Sequence, residues 1–111
     1  MSEINIVAIL YPVQGKEERM KELVAKMAKD VHEKEDYTLR YIMTEQLGVE
    51  TPDIVMIETY KSKEAADQHT KTSHFKSLFS TMESEHLMAK PPYIAQTISK
   101  AGFDLDRKMI S

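Results

Sequence analysis

Apolar residues recur along this chain in two rhythms, one of period two and one of period near 3.6, and the alternation between them lays out the elements. Ile4 to Tyr11 (INIVAILY) is a near-continuous apolar run of strand length. Ile4, Ile6, Ala8 and Leu10 share one face and Asn5, Val7, Ile9 and Tyr11 the other, so both faces call for cover. Pro12 ends that strand and Gly15 supplies turn chemistry. From Lys16 to about Glu33, Met20, Leu23, Val24, Met27 and Val31 fall on one stripe of an amphipathic helix. Glu17 and Glu18 suit its first turn, and His32 reads as a solvated residue at its end.

Tyr37 to Thr44 (YTLRYIMT) alternates as a second strand, with Tyr37, Leu39, Tyr41 and Met43 on one face and Thr38, Arg40, Ile42 and Thr44 on the other. The connection Glu45 to Pro52, which contains Gly48, predicts a hairpin into a third strand, Asp53 to Tyr60. Ser62 is placed to cap a short helix from Lys63 to about Thr70, and Thr72 or Ser73 to cap another. The stripe of the latter is Phe75, Leu78, Phe79, Met82 and His86, with Pro91-Pro92 as its stop. Tyr93 to Ser99 alternates as a fourth strand, and Gly102 leads into a polar tail expected to be loosely held or packed on a partner.

Strand, helix, strand, strand, helix pair, strand is the order of an α+β, ferredoxin-like (split βαβ) domain: an antiparallel sheet with its helices on one face. The expected domain spans residues 1–102, with residues 103–111 as a C-terminal tail. Helices on one side leave Val7, Ile9, Val55 and Ile57 on the other, an apolar patch that water would penalise. Two such sheets packed face to face across a two-fold axis cover both patches, so a homodimer is expected.

Composition narrows the partners. The 15 Lys and Arg are interspersed with 18 Asp and Glu, leaving no basic stripe for nucleic acid and no polybasic arm for a membrane. No apolar run nears the roughly 20 residues a membrane helix needs, and the N-terminus lacks the pattern of a secretory signal. Cysteine is absent, which removes disulfides, thiolate metal sites and a Cys nucleophile. A cytoplasmic protein is the simplest expectation. His69 and His74 straddle a predicted helix break and lack the single-face geometry of a helical zinc pair, so no metal site is expected.

The candidate chemistry lies between Asp53 and Phe79. Glu58 shares a strand face with Ile54, Met56 and Tyr60, and a carboxylate there needs a partner because an unpaired buried charge is costly. Glu58, Tyr60, His69 and His74 mark out the expected pocket. A plainer role stands beside this one: Glu58 as a staple that accepts hydrogen bonds from Thr72, Ser73 or a His and fixes the connection between the helices. Phe75, Phe79 and Met82 are core residues by default and pocket walls otherwise, and the 8 methionines suit either use.

The string IVMIETYKSKEAADQHTKTSHFKSL resembles the signature of the antibiotic biosynthesis monooxygenase (ABM) domain family, in which a third strand ending in Glu-x-Trp or Glu-x-Tyr precedes a helix with His and then a Ser/Pro-His-Phe turn. The resemblance covers about Ile4 to Ser99. It implies a dimeric α/β barrel and a cofactor-independent monooxygenase that oxidises a small aromatic, quinol or polyketide-like substrate with O2. A small-molecule isomerase, or a non-catalytic stress-response or ligand-binding dimer, is the alternative on the same scaffold. Mapped onto this chain, His69 or His74 is the expected base and Glu58 its orienting partner, with Tyr60, Tyr41 or Arg40 holding a developing oxyanion. Tyr41, Arg40, Met56, Phe75, Phe79 and Met82 are the expected contacts to a small aromatic or quinone-like ligand. The haem-degrading branch is a poorer match: Phe79 and Tyr60 stand where it has His and Trp, Asn5 is a turn too early for its Asn, and only His86 is left over.

Overall fold

Ile4–Leu10 forms the central strand β1, whose Ile6, Ala8 and Leu10 are buried while the residues between them are half-buried. The computed structural model describes residues 2–110. Glu17–Lys34 (α1) follows, burying Met20, Val24, Met27 and Val31, the stripe predicted from their spacing. No side chain caps its start; instead the Glu17 carboxylate turns back to accept the Gly15 N–H at 2.7 Å. Gly15 sits at φ +88°, in the left-handed region glycine tolerates.

Thr38–Glu45 (β2) and Ile54–Tyr60 (β3) form the hairpin, and β3 runs antiparallel beside β1. Ser62 accepts the Ala65 N–H to open Lys63–Thr70 (α2), and Thr72, not Ser73, accepts the Phe75 N–H to open Ser73–Ser84 (α3). Tyr93–Thr97 (β4) then adds to the free edge of β1. The sheet order is β2-β3-β1-β4, entirely antiparallel between neighbours, which is the ferredoxin-like arrangement of two interleaved βαβ units. All three helices lie on one face of this sheet, over a core that runs from Ile6 and Ala8 through Met56 to Met20, Met27 and Met82.

The structure corrects two local expectations. A register shift between Thr38 and Arg40 inserts Leu39 as an extra residue, so Thr38 pairs with Tyr60 and turns inward while Leu39 is largely exposed. The last helix stops at Ser84 instead of running to Pro91. His86 takes a left-handed φ of +54°, and the Leu87 N–H folds back on the Met82 carbonyl, burying Leu87 where His86 was expected. The segment after Gly102 closes a short hairpin, Gly102–Phe103 (β5) with Met109–Ile110 (β6), tied to the sheet by Arg40 and Asp104 at 2.6 Å.

Candidate active site

The site is built where the end of α1 meets α2, α3 and the middle of β3. Continuing the α1 stripe one step beyond Val31 reaches Glu35, which caps the helix and is only 2% exposed. Its carboxylate accepts from the Thr38 hydroxyl at 2.7 Å, turned inward by the bulge in β2. His69 Nδ1 lies 2.8 and 3.0 Å from the two carboxylate oxygens, and His74 Nε2 contacts Oε2. The His69 carbonyl in turn accepts the Thr72 hydroxyl at 2.8 Å, so the cap of α3 also fixes the end of α2. With Nδ1–H given to Glu35, the imidazole is held in the tautomer whose free nitrogen is Nε2.

His69 is packed among aromatic rings: Tyr41, Tyr60 and Phe75 lie with centroids 5.6, 5.3 and 5.2 Å away. Burial lowers its pKa, against the opposing pull of Glu35, so the ring favours the neutral state in which it can accept a proton. Glu58, paired across strands with Tyr41 and Ile6, is 6% exposed and accepts the Tyr60 hydroxyl at 2.6 Å. Burial pushes its pKa up to about 7, with the Tyr60 hydrogen bond working against the rise and the Glu35 charge adding to it. Burial likewise raises the Tyr41 and Tyr60 hydroxyls, which stay as neutral donors.

A partly open cavity of about 150 Å³ lies between sheet and helices. Its floor is Ile6, Ala8, Leu10, Met56, Glu58 and Tyr41; its roof is Val24, His69, Phe75, Leu78 and Phe79; Ile94 stands at the β4 side. Of the residues expected at the site, the cavity thus gathers Tyr41, Met56, Glu58, His69, Phe75 and Phe79. Tyr60 stands behind the wall, reaching it through Glu58. Three others lie elsewhere. Arg40 neighbours Tyr41 in β2, so strand parity turns it to the opposite face, where it pairs with Asp104. Met82 is wholly buried in the core away from the cavity lining. His74 lines an outer groove of about 650 Å³ between α1 and α3, whose charged walls already pair Arg19 with Glu22 and Lys26 with Asp30.

The expected orienting contact is also corrected: His69 is held by Glu35, while the bonded partner of Glu58 is Tyr60. Glu35 had a signal of its own. A carboxylate at the next position of an otherwise apolar helix stripe must be buried and partnered, just as Glu58 must be on its strand.

An antiparallel sheet roofed on one side by its helices, with a buried carboxylate–imidazole cluster beside a small apolar cavity, defines a ferredoxin-like domain. The model of the antibiotic biosynthesis monooxygenase family matches residues 4–80, and the chain belongs to that family. Among solved structures it is similar to a Caulobacter crescentus protein whose assignment as an antibiotic biosynthesis monooxygenase is itself provisional, at 25% identity and a TM-score of 0.81, covering 89% of this chain and 91% of that one. A conserved protein of Methanosarcina mazei shares 23% identity at a TM-score of 0.79, over 90% of this chain and 95% of that one. A Nitrosomonas europaea protein with the same provisional assignment shares 19% at 0.80, over 88% and 90%. The last two likenesses bear on the fold alone. A comparison with curated proteins finds none that matches.

Proposed function

We propose that the chain is a cofactor-independent monooxygenase acting on a single-ring hydroquinone or related phenol. The observation that supports this most is the cavity itself: about 150 Å³, apolar, with His69 and Glu58 in its wall. An apolar cavity of about that volume accommodates benzene, so one aromatic ring fits and a fused polycyclic substrate does not without opening. His69 Nε2 takes the phenolic proton and Glu35 steadies the ring that receives it. Tyr41 and protonated Glu58 donate to the oxyanion that forms.

The electron-rich anion then reduces O2 by one electron. Recombination on the ring carbon beside the oxygen gives a hydroperoxide, which loses water to leave a carbonyl. Hydroquinone plus O2 thus yields hydroxyquinone plus water, and the substrate supplies every electron. Apolar walls exclude water, which keeps the peroxide from other fates.

Oxygen uptake with a panel of single-ring hydroquinones tests the reading. Uptake by the wild type that falls about 10² to 10⁴-fold in His69→Gln is the expected result. Absence of uptake across the panel contradicts it, and deuterium loss from substrate without uptake assigns the site to an isomerase instead.

The working unit we propose is a homodimer. Val7, Ile9, Val55 and Ile57 sit half-buried on the unroofed face, flanked by Ile42 and Tyr93, which are 45% and 53% exposed. A second copy covers this surface by presenting the same one. Light scattering at micromolar concentration reports a dimer if so and a monomer if not. Among the described residues no helix is long and apolar enough to cross a membrane, and a cytoplasmic setting accords with a sequence free of cysteine.

A further inference from the structure

The cavity has two unlike ends. Its polar groups stand together on the β2–β3 side, where Tyr41 pairs across strands with Glu58 and His69 packs on the Tyr41 ring. The other end, over β1 and β4, is lined by Ala8, Leu10, Leu78, Phe79 and Ile94, none of which carries a polar side-chain atom. The sheet explains the hollow there. In one row across the strands Met43 pairs with Met56, Met56 with Ala8 and Ala8 with Ile94. Ala8 is the small member of that row, so the floor dips between the larger side chains of Met56 and Ile94.

Ile94 is the outer bank of this trough. It is 54% exposed although it lines the cavity, and at the apolar end it is the one exposed lining residue. The helices stop short of it: they pack on one another and on β2 and β3, while β4 rests chiefly on β1. The partly open cavity therefore meets solvent beside Ile94. Tyr93 and Ala95, its neighbours along the strand, face the opposite side of the sheet, so pairing of the two unroofed faces leaves Ile94 unused.

We propose that Ile94 is the specificity-determining residue of the site, at the rim of a subsite for an apolar substituent on the part of the ring remote from the reacting hydroxyl. The substrate class narrows to single-ring hydroquinones and phenols that carry a short alkyl chain. The inference rests on the reading of the cavity as a phenol site. Polarity fixes the orientation of such a ligand. A reacting hydroxyl at the apolar end loses its hydrogen bonds to water and finds no partner, whereas at the inner end it meets Tyr41, Glu58 and His69. With that hydroxyl inward, the far side of the ring lies over Ala8 and its substituent passes between Phe79 and Ile94 to the rim. The second hydroxyl of a hydroquinone shares the outward side and meets water at the opening. A cavity of about 150 Å³ is filled by the ring alone, so the chain is accommodated along Ile94 and not deeper inside.

Binding of simple phenols to the full-length protein, measured by calorimetry without oxygen, tests the subsite. Along phenol, 4-ethylphenol and 4-propylphenol the wild type is expected to bind about two- to fourfold more tightly per methylene. A 2-propyl group, forced toward the polar end, is expected to bring no gain. In Ile94→Asn the gain per methylene is expected to vanish, while affinity for phenol itself stays within about threefold. A merely structural Ile94 lowers affinity for phenol and alkylphenols alike; that result, or an undiminished gain in the variant, overturns the proposal. Should Ile94→Asn fail to fold, Ile94→Trp narrows the same opening and is expected to weaken 4-propylphenol more than phenol by about tenfold, and equal weakening overturns it. A wild type that binds phenol but gains nothing with chain length overturns the subsite alone. A wild type that binds none of these phenols overturns the phenol-site reading together with it.

Discussion

The end of α1 and the middle of β3 each bury a carboxylate, and the two are treated in opposite ways. Glu35 is surrounded by donors: one hydroxyl and two imidazoles converge on it. Glu58 has a single bonded partner, Tyr60, and otherwise faces an apolar cavity. Saturation makes Glu35 an anchor that holds three elements, β2, α2 and α3, to the end of α1. Scarcity of donors makes Glu58 a group whose proton is poised near neutrality. What separates the two is therefore the supply of donors, since both are nearly fully hidden.

The sharpest way to break the contrast is to remove each anchor in turn. Glu35→Leu strands two imidazoles and the Thr38 hydroxyl in the interior, and urea unfolding is expected to show a loss of about 3–5 kcal/mol. Glu58→Leu strands only the Tyr60 hydroxyl and is expected to cost about 1–3 kcal/mol. Equal losses would mean the two sites are not different in kind.

A smaller effect sharpens the contrast through pH. The folded pKa of Glu58 lies above its unfolded value, so folding binds a proton more tightly there. The resulting stability is fully present below about pH 4.3 and is lost as pH rises through about 7, a fall of roughly 2–4 kcal/mol. His69 contributes the other way: its folded pKa is lowered, so its share of stability is full above the ordinary histidine value and is lost as pH falls. Stability curves of wild type and Glu58→Gln, taken from pH 4 to 8, isolate the first effect as their difference. Gln is expected to gain on wild type as pH rises, and parallel curves would place Glu58 in an ordinary wet environment.

The smallest expected effect lies outside the comparison. Arg40 and Asp104 form an exposed pair on the far face. Asp104→Asn is expected to leave both melting temperature and oxygen uptake unchanged, since screened surface pairs contribute little. A loss of uptake would bring the far face into the chemistry.

Much of this architecture is legible from residue spacing, because burial on two sides or one leaves a periodic trace. The apolar run of β1, the stripe of α1 and the caps at Ser62 and Thr72 all carry such a trace and lie where spacing puts them. The cluster of Glu58 and His69 by the roof is legible for a related reason: a charge on an apolar strand face has few places to go. The bulge at Leu39 is not legible, because inserting one residue changes parity without changing composition. Nor is the partner of His69. In the run His-Glu-Lys-Glu-Asp, Glu35 is one acid among several, and only its place one step along the helix stripe sets it apart. The early end of α3 escapes for the same reason, since His86 and Leu87 trade places through one left-handed residue.

The claim at the centre of this account is that His69, held by Glu35, takes a proton from a ring bound in the cavity. A chromogenic single-ring phenol such as 4-nitrophenol reports that event directly through its absorbance, without turnover or oxygen. Bound to the wild type at a pH below its own pKa, it is expected to show the spectrum of the phenolate, and bound to His69→Gln that of the neutral phenol. A phenol that binds in the cavity yet stays neutral in both proteins would contradict the account.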